Sequence, residues 1–421
     1  MRFFHVGDLH FGKMLHNVPL IEEDQPFWVE QLLAAADEYQ PDAVVIAGDV
    51  YDRQVPPPEA MRLFDHMVTE LSRRGICVLV IPGNHDSAAR LSHVSGLLTS
   101  HNIYIAGDLH RELRHVTLER DGVKTCFWLM PYIFPKLVAD AAVLGRDDIQ
   151  TYDQAARALL SAQETRPDAC NVLVAHQNVL SGGIAPEHSG SETIIGGLGE
   201  IGADAFDGFD YVALGHIHNA QPIGRETIRY SGCPLYYDFS ETDRRKDLTM
   251  VTVGPGKKIE VSAVEIPLRH RLARRSGTLA DLLAWGEALE DKDALYVQCI
   301  LEDAHLPYGA MEQLQEVFGD CLVNIKREPS RPAGEGEGAF SGEAGEGTQG
   351  AALSVKDLFG RFISEQTGKY PDRIQDEAVE KLLELQERQG GELISDHRNV
   401  PAGDSQEIAD LLLGAVTEEP Q

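Results

Sequence analysis

Five short motifs between residues 8 and 218 bring together side chains that bind metal ions in proteins. They are Asp8-Leu9-His10, Gly48-Asp49, Gly83-Asn84-His85-Asp86, His176 and Gly215-His216-Ile217-His218. Carboxylate, imidazole and amide donors without a thiolate suit Mn²⁺ or Fe²⁺ better than a structural zinc ion. Seven donors are too many for one ion that keeps an open position, but they suit two ions that share a bridging carboxylate. The motifs therefore predict a two-metal site.

The chemistry expected of such a site is phosphodiester hydrolysis. Two divalent ions about 3.5–4 Å apart stabilise the attacking and leaving oxygens of an in-line phosphoryl displacement, and they lower the pKa of a water between them. The i, i+2 spacing within the first and last motifs would put both side chains on one face of an extended backbone. The predicted metal ligands are Asp8, His10, Asp49, Asn84, His176, His216 and His218.

Each motif begins where an apolar, β-rich run ends, and this pattern predicts the elements that position the site. The predicted strands are Phe3–Val6, Ala43–Ala47, Cys77–Ile81, Lys124–Met130, Asn171–Ala175 and Tyr211–Leu214. Helix-like periodicity alternates with these runs, which favours a layered α/β domain. Ligands of open α/β sheets bind beyond the carboxyl ends of the strands, where these motifs lie.

The rest of the chain divides into further segments. Apolar runs at 226–231, 248–253 and 258–266 predict a hairpin-like series of strands that ends the first domain, residues 1–270. Residues 271–328 alternate helix and strand patterns and predict a small α+β domain. A Gly/Glu-rich linker at 329–352 precedes a helical element at 353–390 and an acidic tail at 391–421. The helical element would either pack back on the body or dock a partner.

Charge and composition limit the class of protein. A net charge of −30 opposes DNA binding, so DNA affinity would need a partner, the metals or two basic clusters, at 244–246 and 269–275. The sequence has no apolar run of the roughly 20 residues that cross a bilayer. The six cysteines include no C-x-x-C pair, and the N-terminus carries a histidine and an aspartate where a secretory signal would be apolar. These features predict a cytoplasmic protein that does not enter a membrane.

The ordered motifs D-x-H, GD, GNHD, H and GHIH resemble those of the calcineurin-like metallophosphoesterase superfamily over roughly residues 1–235. Longer strings resemble the SbcD-type DNA repair exonuclease subunits: GDLHFGK, AGDVYDRQVPPPEAMRLF, IPGNHDSAARL, DYVALGHIHNAQPIG, RYSGCPLYYDFSE and, near the C-terminus, LSVKDLFGRFISEQTG. The resemblance implies a layered β-sandwich flanked by helices. It also implies that residues 271–328 are a small α+β capping domain, with C-terminal helices after a flexible linker.

The resemblance also implies roles for the site residues. Asp8, His10 and His218 would bind one metal, Asn84, His176 and His216 the other, and Asp49 would bridge them. His85 would bind no metal. It would contact the scissile phosphate, stabilise the transition state and help to protonate the leaving oxygen. The carboxylate of Asp86 or Asp52 would hold the His85 ring, although some relatives carry a histidine where this chain has Asp52.

By the same resemblance, the chain would be a manganese-dependent nuclease of DNA repair and recombination. It would degrade double-stranded DNA ends as an exonuclease and cut hairpins or single strands as an endonuclease. It would pair with an SbcC-like ATPase through residues 353–390. It would form a homodimer through helices near 57–74 and 87–99, although the apolar stripes of these helices could equally be ordinary core faces.

Two other functions are also consistent with the sequence. The leading alternative is a metallophosphodiesterase that acts on cyclic nucleotides or other small phosphodiesters, since the fold does not fix the substrate. The predicted capping domain and tethered helices favour the nuclease, because a small-molecule enzyme would not need them. A non-catalytic scaffold should have lost ligands, whereas all seven candidate positions are filled.

Overall fold

Two six-stranded sheets face each other in the computed structural model, which describes residues 1–192, 199–303, 305 and 307–328. These residues fall within one unit, Met1–Gly334. The predicted linker at 329–352, the helical element at 353–390 and the tail at 391–421 lie outside the described residues. No helix of the described part is long and apolar enough to cross a membrane.

The strands of the described residues are β1 (Arg2–Val6), β2 (Met14–Leu15), β3 (Val18–Pro19), β4 (Ala43–Ala47), β5 (Cys77–Ile81), β6 (Ile103–Ile105), β7 (Arg114–Arg120), β8 (Val123–Leu129), β9 (Cys170–His176), β10 (Asn178–Leu180), β11 (Glu200–Gly202), β12 (Tyr211–Gly215), β13 (Gln221–Ile223), β14 (Arg225–Tyr230), β15 (Asp247–Val253), β16 (Ile259–Glu265), β17 (Arg271–Gly277), β18 (Leu295–Leu301) and β19 (Leu322–Arg327). The α-helices are α1 (Asp24–Tyr39), α2 (Pro58–Arg73), α3 (Ala88–Leu91), α4 (Ser95–Leu98), α5 (Pro135–Ala139), α6 (Tyr152–Ser161), α7 (Leu279–Ala288) and α8 (Ala310–Phe318).

The first sheet has the order β16-β15-β1-β4-β5-β6, and the second has the order β13-β14-β12-β9-β8-β7. In the first sheet β1, β4, β5 and β6 run parallel, and in the second β8, β9, β12 and β14 run parallel. The central strands β4, β5, β9 and β12 are buried along their whole length. Both faces of these strands are covered, which explains their uninterrupted apolar sequences.

The core consists of three apolar layers. Phe3, Val45 and Tyr211 belong to the layer between the two sheets. Alternate residues of the first sheet point outward and pack against the buried stripes of α1 and α2, such as Trp28. The outer face of the second sheet packs on α6, whose Leu159 is fully buried. The result is a β-sandwich with helices on both outer faces, as the sequence predicts.

A third, three-stranded parallel sheet has the order β17-β18-β19 and carries α7 and α8 on one face. Its own apolar cluster includes Leu282, Val297 and Leu314. The sheet also contacts the sandwich through polar groups: the Asp24 carboxylate accepts hydrogen bonds from Tyr296 at 2.6 Å and from His270 at 2.9 Å. The boundary predicted at residue 270 falls just before β17.

Three details differ from the sequence-based expectations. The strand predicted at 226–231 does not join a hairpin-like series with the next two, because β14 pairs with β12 and β13 while β15 and β16 pair in the other sheet. The helix predicted near 87–99 is two short helices, α3 and α4, because Val94 between them has a left-handed backbone (φ 54°). Strand β17 is not predicted by the sequence, because three arginines interrupt the alternation of apolar and polar residues.

Candidate metal centre

The five motifs meet at one end of the sandwich. Asp8, Asp49 and Asn84 follow β1, β4 and β5 of the first sheet. His176 ends β9 of the second sheet, and His216 follows β12. Because these strands run parallel within each sheet, their carboxyl ends deliver all five loops to a common crevice.

One group of predicted ligands comprises Asp8, His10 and His218, which are all buried. One ligand atom from each of them lies within 4.8 Å of the others. The Nε2 atoms of His10 and His218 are 3.2 Å apart.

The second group contains Asn84, His176 and His216. The Oδ1 atom of Asn84 lies 3.0 Å from Nε2 of His176 and 3.1 Å from Nδ1 of His216. Asp49 lies between the two groups, since its Oδ2 is 3.3 Å from Nε2 of His176 and 3.6 Å from Nε2 of His10. The structure thus brings all seven side chains together, with Asp49 in the central position.

The donor set fits divalent cations. Nδ1 of His176 donates a hydrogen bond to the carbonyl of Ala47 at 2.8 Å, so Nε2 of the neutral ring carries a lone pair. In the neutral ring that lone pair faces acceptor oxygens of Asn84 and Asp49. These groups repel unless a positive charge, either a proton on Nε2 or a bound metal ion, lies among them. The His/Asp clusters are therefore compatible with a site for two metal ions.

The electrostatics of the site agree with this interpretation. Burial lowers the pKa of His10 and His216 to about 3, and it lowers the pKa of His218 as well, so these rings stay neutral and able to bind a cation. Burial disfavours a charge on His176, yet the charge of Asp49 raises the pKa of His176 to about 9. Burial raises the pKa of Asp8 to about 8. The site thus favours a positive charge close to Asp49 and Asp8.

Four of the seven residues have a left-handed backbone conformation. The φ angles are 53° for Asp8, 44° for His10, 48° for Asp49 and 99° for His216. The expectation that an extended backbone turns the i, i+2 pairs to one face is therefore wrong, although Asp8 and His10 do converge. Sparsely populated backbone of this kind concentrates at functional sites, where the surrounding structure over-determines it.

Two glycines make the close approach of the loops possible. A Cβ atom on Gly48 would lie 2.4 Å from Nδ1 of His176, and Gly48 itself has a φ of 87°. A Cβ atom on Gly83 would lie 2.2 Å from Oδ1 of Asp49. The glycine before Asp49 and the glycine before Asn84 are thus required for packing between the loops.

His85 lies beside the predicted metal ligands, with its ring centroid 4.9 Å from that of His10. Its Nδ1 donates to the backbone carbonyl of Asp52 at 2.9 Å, so neither of the two carboxylates proposed to hold the ring does so. The Asp86 carboxylate instead accepts backbone N–H bonds of 2.9–3.0 Å from Val50, Tyr51 and Gly83. The expected role of Asp86 is therefore corrected: it ties the Asp49 loop to the Asn84 loop.

The Asp52 carboxylate also makes contacts other than the one expected. It accepts a hydrogen bond from Lys13 at 2.9 Å, and its Oδ1 lies 3.7 Å from Nδ1 of His10. That His10 nitrogen is buried and has no hydrogen-bond partner among the described residues. Asp52 thus borders the metal centre on the His10 side.

Sequence reasoning missed a polar group behind His218. Ser191, Glu192, Glu241 and Lys246 lie there, and Glu241 and Lys246 are buried. Glu241 is the last residue of the string RYSGCPLYYDFSE that carried part of the resemblance, which was the available signal. Nothing in the local sequence marks Ser191, because its contacts with His218 and Glu241 join residues 27 and 50 positions apart.

Several cations of the two basic clusters are engaged within the protein, so the clusters are less available to bind DNA than the sequence suggests. Lys246 is buried against Glu241, at 2.7 Å, so it is not a surface cation. Arg244 donates to the backbone carbonyl of His188 at 3.3 Å. Arg269 forms an ion pair with Glu23, also at 3.3 Å. Exposed cations of these clusters include Arg245, Arg271, Arg274 and Arg275.

Comparisons with known proteins agree with this architecture. A family model described as calcineurin-like phosphoesterase matches residues 1–220. A second model, named for the SbcD C-terminus and described as a type 5 capsule protein repressor C-terminal domain, matches residues 269–367. The matches confirm the predicted α/β metallophosphoesterase fold and the resemblance to SbcD-type proteins.

Solved structures that match this chain include a dimetal phosphatase from Danio rerio, with 11% identity and a TM-score of 0.37. That match covers 64% of this chain and 98% of the phosphatase. A protein from Thermus thermophilus matches with 12% identity and a TM-score of 0.35, covering 63% of this chain and 99% of the other.

Proposed function

Since the chain belongs to the calcineurin-like phosphoesterase family, we propose that it is a two-metal nuclease that hydrolyses phosphodiester bonds of DNA. The observation that carries the proposal is the convergence of seven nitrogen and oxygen ligands from five separate loops around Asp49. Membership of the family makes the chain a metal-dependent hydrolase, and the proposal adds its substrate and the roles of its residues.

In this proposal Asp8, His10 and His218 bind one ion, and Asn84, His176 and His216 bind the other. Asp49 bridges the two ions. Carboxylate, imidazole and amide ligands favour Mn²⁺ as the physiological metal. Two bound cations would supply a water of lowered pKa and would stabilise charge on the attacking and leaving oxygens.

His85 is the proposed catalytic residue that binds no metal. Its Nδ1 is engaged by the carbonyl of Asp52, so its Nε2 is the nitrogen free to meet the substrate. A protonated imidazole in this position can act as a general acid that gives a proton to the leaving oxygen. Asp52 and Asp86 act through position: Asp52 orients the His85 ring through its backbone, and Asp86 fixes the loop that carries Asn84 and His85.

DNA is favoured over a small phosphodiester because the match to the SbcD C-terminal model extends from residue 269 to residue 367. This segment spans the small three-stranded unit and part of the proposed ATPase-docking element at 353–390. An SbcC-like ATPase and a second copy of the chain are the proposed partners. A partner that carries basic surface would offset the net charge of −30, which opposes DNA binding.

The proposed homodimer would use α2 and the short helices α3 and α4. Met61 on α2 and Val94 and Leu97 near α4 are more than half exposed, as an uncovered apolar contact surface would be. A cytoplasmic location is also proposed, because all six cysteines are buried free thiols, which suit a reducing compartment.

The experiment is digestion of end-labelled duplex and hairpin DNA with purified protein in Mn²⁺, with and without the ATPase partner. Cyclic nucleotides are the competing substrates in parallel reactions. We expect manganese-dependent loss of labelled ends and cutting at hairpin tips. Turnover of cyclic nucleotides without cleavage of either DNA would replace the nuclease by the small-phosphodiester alternative.

A further inference from the structure

His218 is held at three of its atoms, one of which is a ring nitrogen. Its Nδ1 lies 2.6 Å from the hydroxyl oxygen of Ser191. Its backbone N–H donates to the carboxylate of Glu192 at 2.5 Å, and its backbone carbonyl accepts from the N–H of Cys233 at 3.1 Å. The ring is thus fixed from the side opposite His10, which its Nε2 faces at 3.2 Å.

The hydroxyl of Ser191 sets the tautomer of this ring. Its oxygen lies 2.9 Å from Oε1 of Glu241 as well as close to His218. A hydroxyl has one proton, and a carboxylate is its strongest acceptor, so Ser191 donates to Glu241. The lone pairs of Ser191 then accept from Nδ1–H of His218, while the neighbouring Ser189 hydroxyl at 2.8 Å can donate to the same oxygen. The proton of the neutral ring therefore sits on Nδ1, and Nε2 carries a lone pair.

Lys246 completes the arrangement. Its ammonium lies 2.7 Å from Oε2 of Glu241 and 3.0 Å from the sulfur of Cys233, and the side chains of Lys246 and Glu241 are 3% and 0% exposed. The imidazole of His218, the thiol of Cys233 and the carboxylate of Glu241 are close enough together to hold a metal ion. The Lys246 ammonium occupies the cationic position beside this cluster, so Lys246 holds the Glu241 carboxylate in place as the acceptor of the Ser191 hydroxyl.

We propose that Ser191, Glu241 and Lys246, here called the Ser191 relay, are positioning residues that fix the tautomer and orientation of His218 for binding a divalent cation through Nε2. The proposal rests on the two-metal function above. Groups that accept the second N–H of a metal-bound histidine raise the affinity of the site for the metal. Loss of such a group typically weakens metal binding roughly 10- to 100-fold.

The test measures Mn²⁺ binding to the full chain by isothermal titration calorimetry and by electron paramagnetic resonance, without DNA. Ser191→Ala should weaken one of two Mn²⁺ sites by about 10- to 100-fold and leave the other unchanged. Ser191→Thr keeps a hydroxyl and should retain both affinities. Removing the ion pair as a unit, with Glu241→Leu and Lys246→Met together, should weaken the same site without leaving a buried charge unpaired.

Ser240→Ala is the matched control. The Ser240 hydroxyl accepts the N–H of Gly190 at 2.9 Å, so it anchors the same loop as Ser191 without touching His218. Two Mn²⁺ sites of wild-type affinity in Ser191→Ala would overturn the relay, and so would an equal loss in Ser240→Ala. Metal binding is measured without DNA. A wild-type chain that bound two ions and cleaved no DNA would therefore contradict only the nuclease proposal. The Mn²⁺ affinities of Ser191→Ala would still test the role of the Ser191 relay.

Discussion

Replacement of His85 by alanine should separate catalysis from metal binding. The residue is half-buried, and its ring makes one hydrogen bond, from Nδ1 to the backbone carbonyl of Asp52 at 2.9 Å. Loss of one such bond costs about 0.5–1.5 kcal/mol of unfolding free energy. Loss of proton transfer and of contact with the phosphate should lower kcat by roughly 10²- to 10⁴-fold. The expected fall in kcat is therefore larger than the small loss of unfolding free energy could explain.

Three measurements on the same protein test this reasoning: DNA cleavage in Mn²⁺, the number of Mn²⁺ ions bound, and urea unfolding. His115→Ala is the control, since this half-buried histidine also contacts a backbone carbonyl, that of Leu113 at 3.4 Å. His115 also contacts Arg166 and the Trp128 ring, so the control should lose at least as much stability as His85→Ala and keep full activity.

The metal count is the decisive measurement for His85. One nitrogen of His85 lies within 4.8 Å of ligand atoms of His10 and Asp52, so a role in binding metal is geometrically possible. We expect His85→Ala to bind two ions with unchanged affinity. Loss of one ion would make His85 a ligand, and unimpaired cleavage would remove it from the mechanism altogether.

Asp49→Ala should abolish binding of both Mn²⁺ ions, because this carboxylate lies between the two groups of ligands; calorimetric two-site binding in the variant would refute the bridging role. Gly48→Ala should also lower Mn²⁺ occupancy, since its Cβ would lie 2.4 Å from His176. Gly75→Ala is the control, because Gly75 also has a left-handed φ of 74° but has open space around it. This variant should lose only the free energy of placing a Cβ on left-handed backbone, about 1–2 kcal/mol. Deletion of residues 351–421 should abolish pairing with the ATPase, measured by pull-down, and spare hydrolysis of a chromogenic diester; pairing that survived the deletion would refute the docking role.

Much of the fold follows from local sequence. The central strands were predicted to within one residue at each end, because parallel strands covered on both faces are continuous apolar runs. The order of motifs after those strands is enough to predict that candidate ligands distant in the chain, such as Asp8 and His218, meet. Strand β17 was not predicted, since residues 271–277 contain three arginines and the strand is recognised by its partner β18 rather than by its own pattern.

The site contained features that no local pattern could reveal. Left-handed backbone at Asp8 and His10 results from packing of their loop against the Asp49 loop, through bonds such as Asp8 N–H to the carbonyl of Gly48 at 3.0 Å. The contacts of Asp86 with Val50 and Tyr51 join residues 35 or 36 positions apart. Buried pairs such as Lys246 with Glu241 looked like surface charges in the sequence, because burial is a property of the fold.

Asp49 and six other side chains are proposed to hold two divalent ions side by side. The most direct measurement is anomalous diffraction at the manganese edge from crystals grown in Mn²⁺. We expect two anomalous peaks about 3.5–4 Å apart, with Asp49 contacting both. A single peak, or two peaks with Asp49 beyond coordination distance of either, would contradict the account.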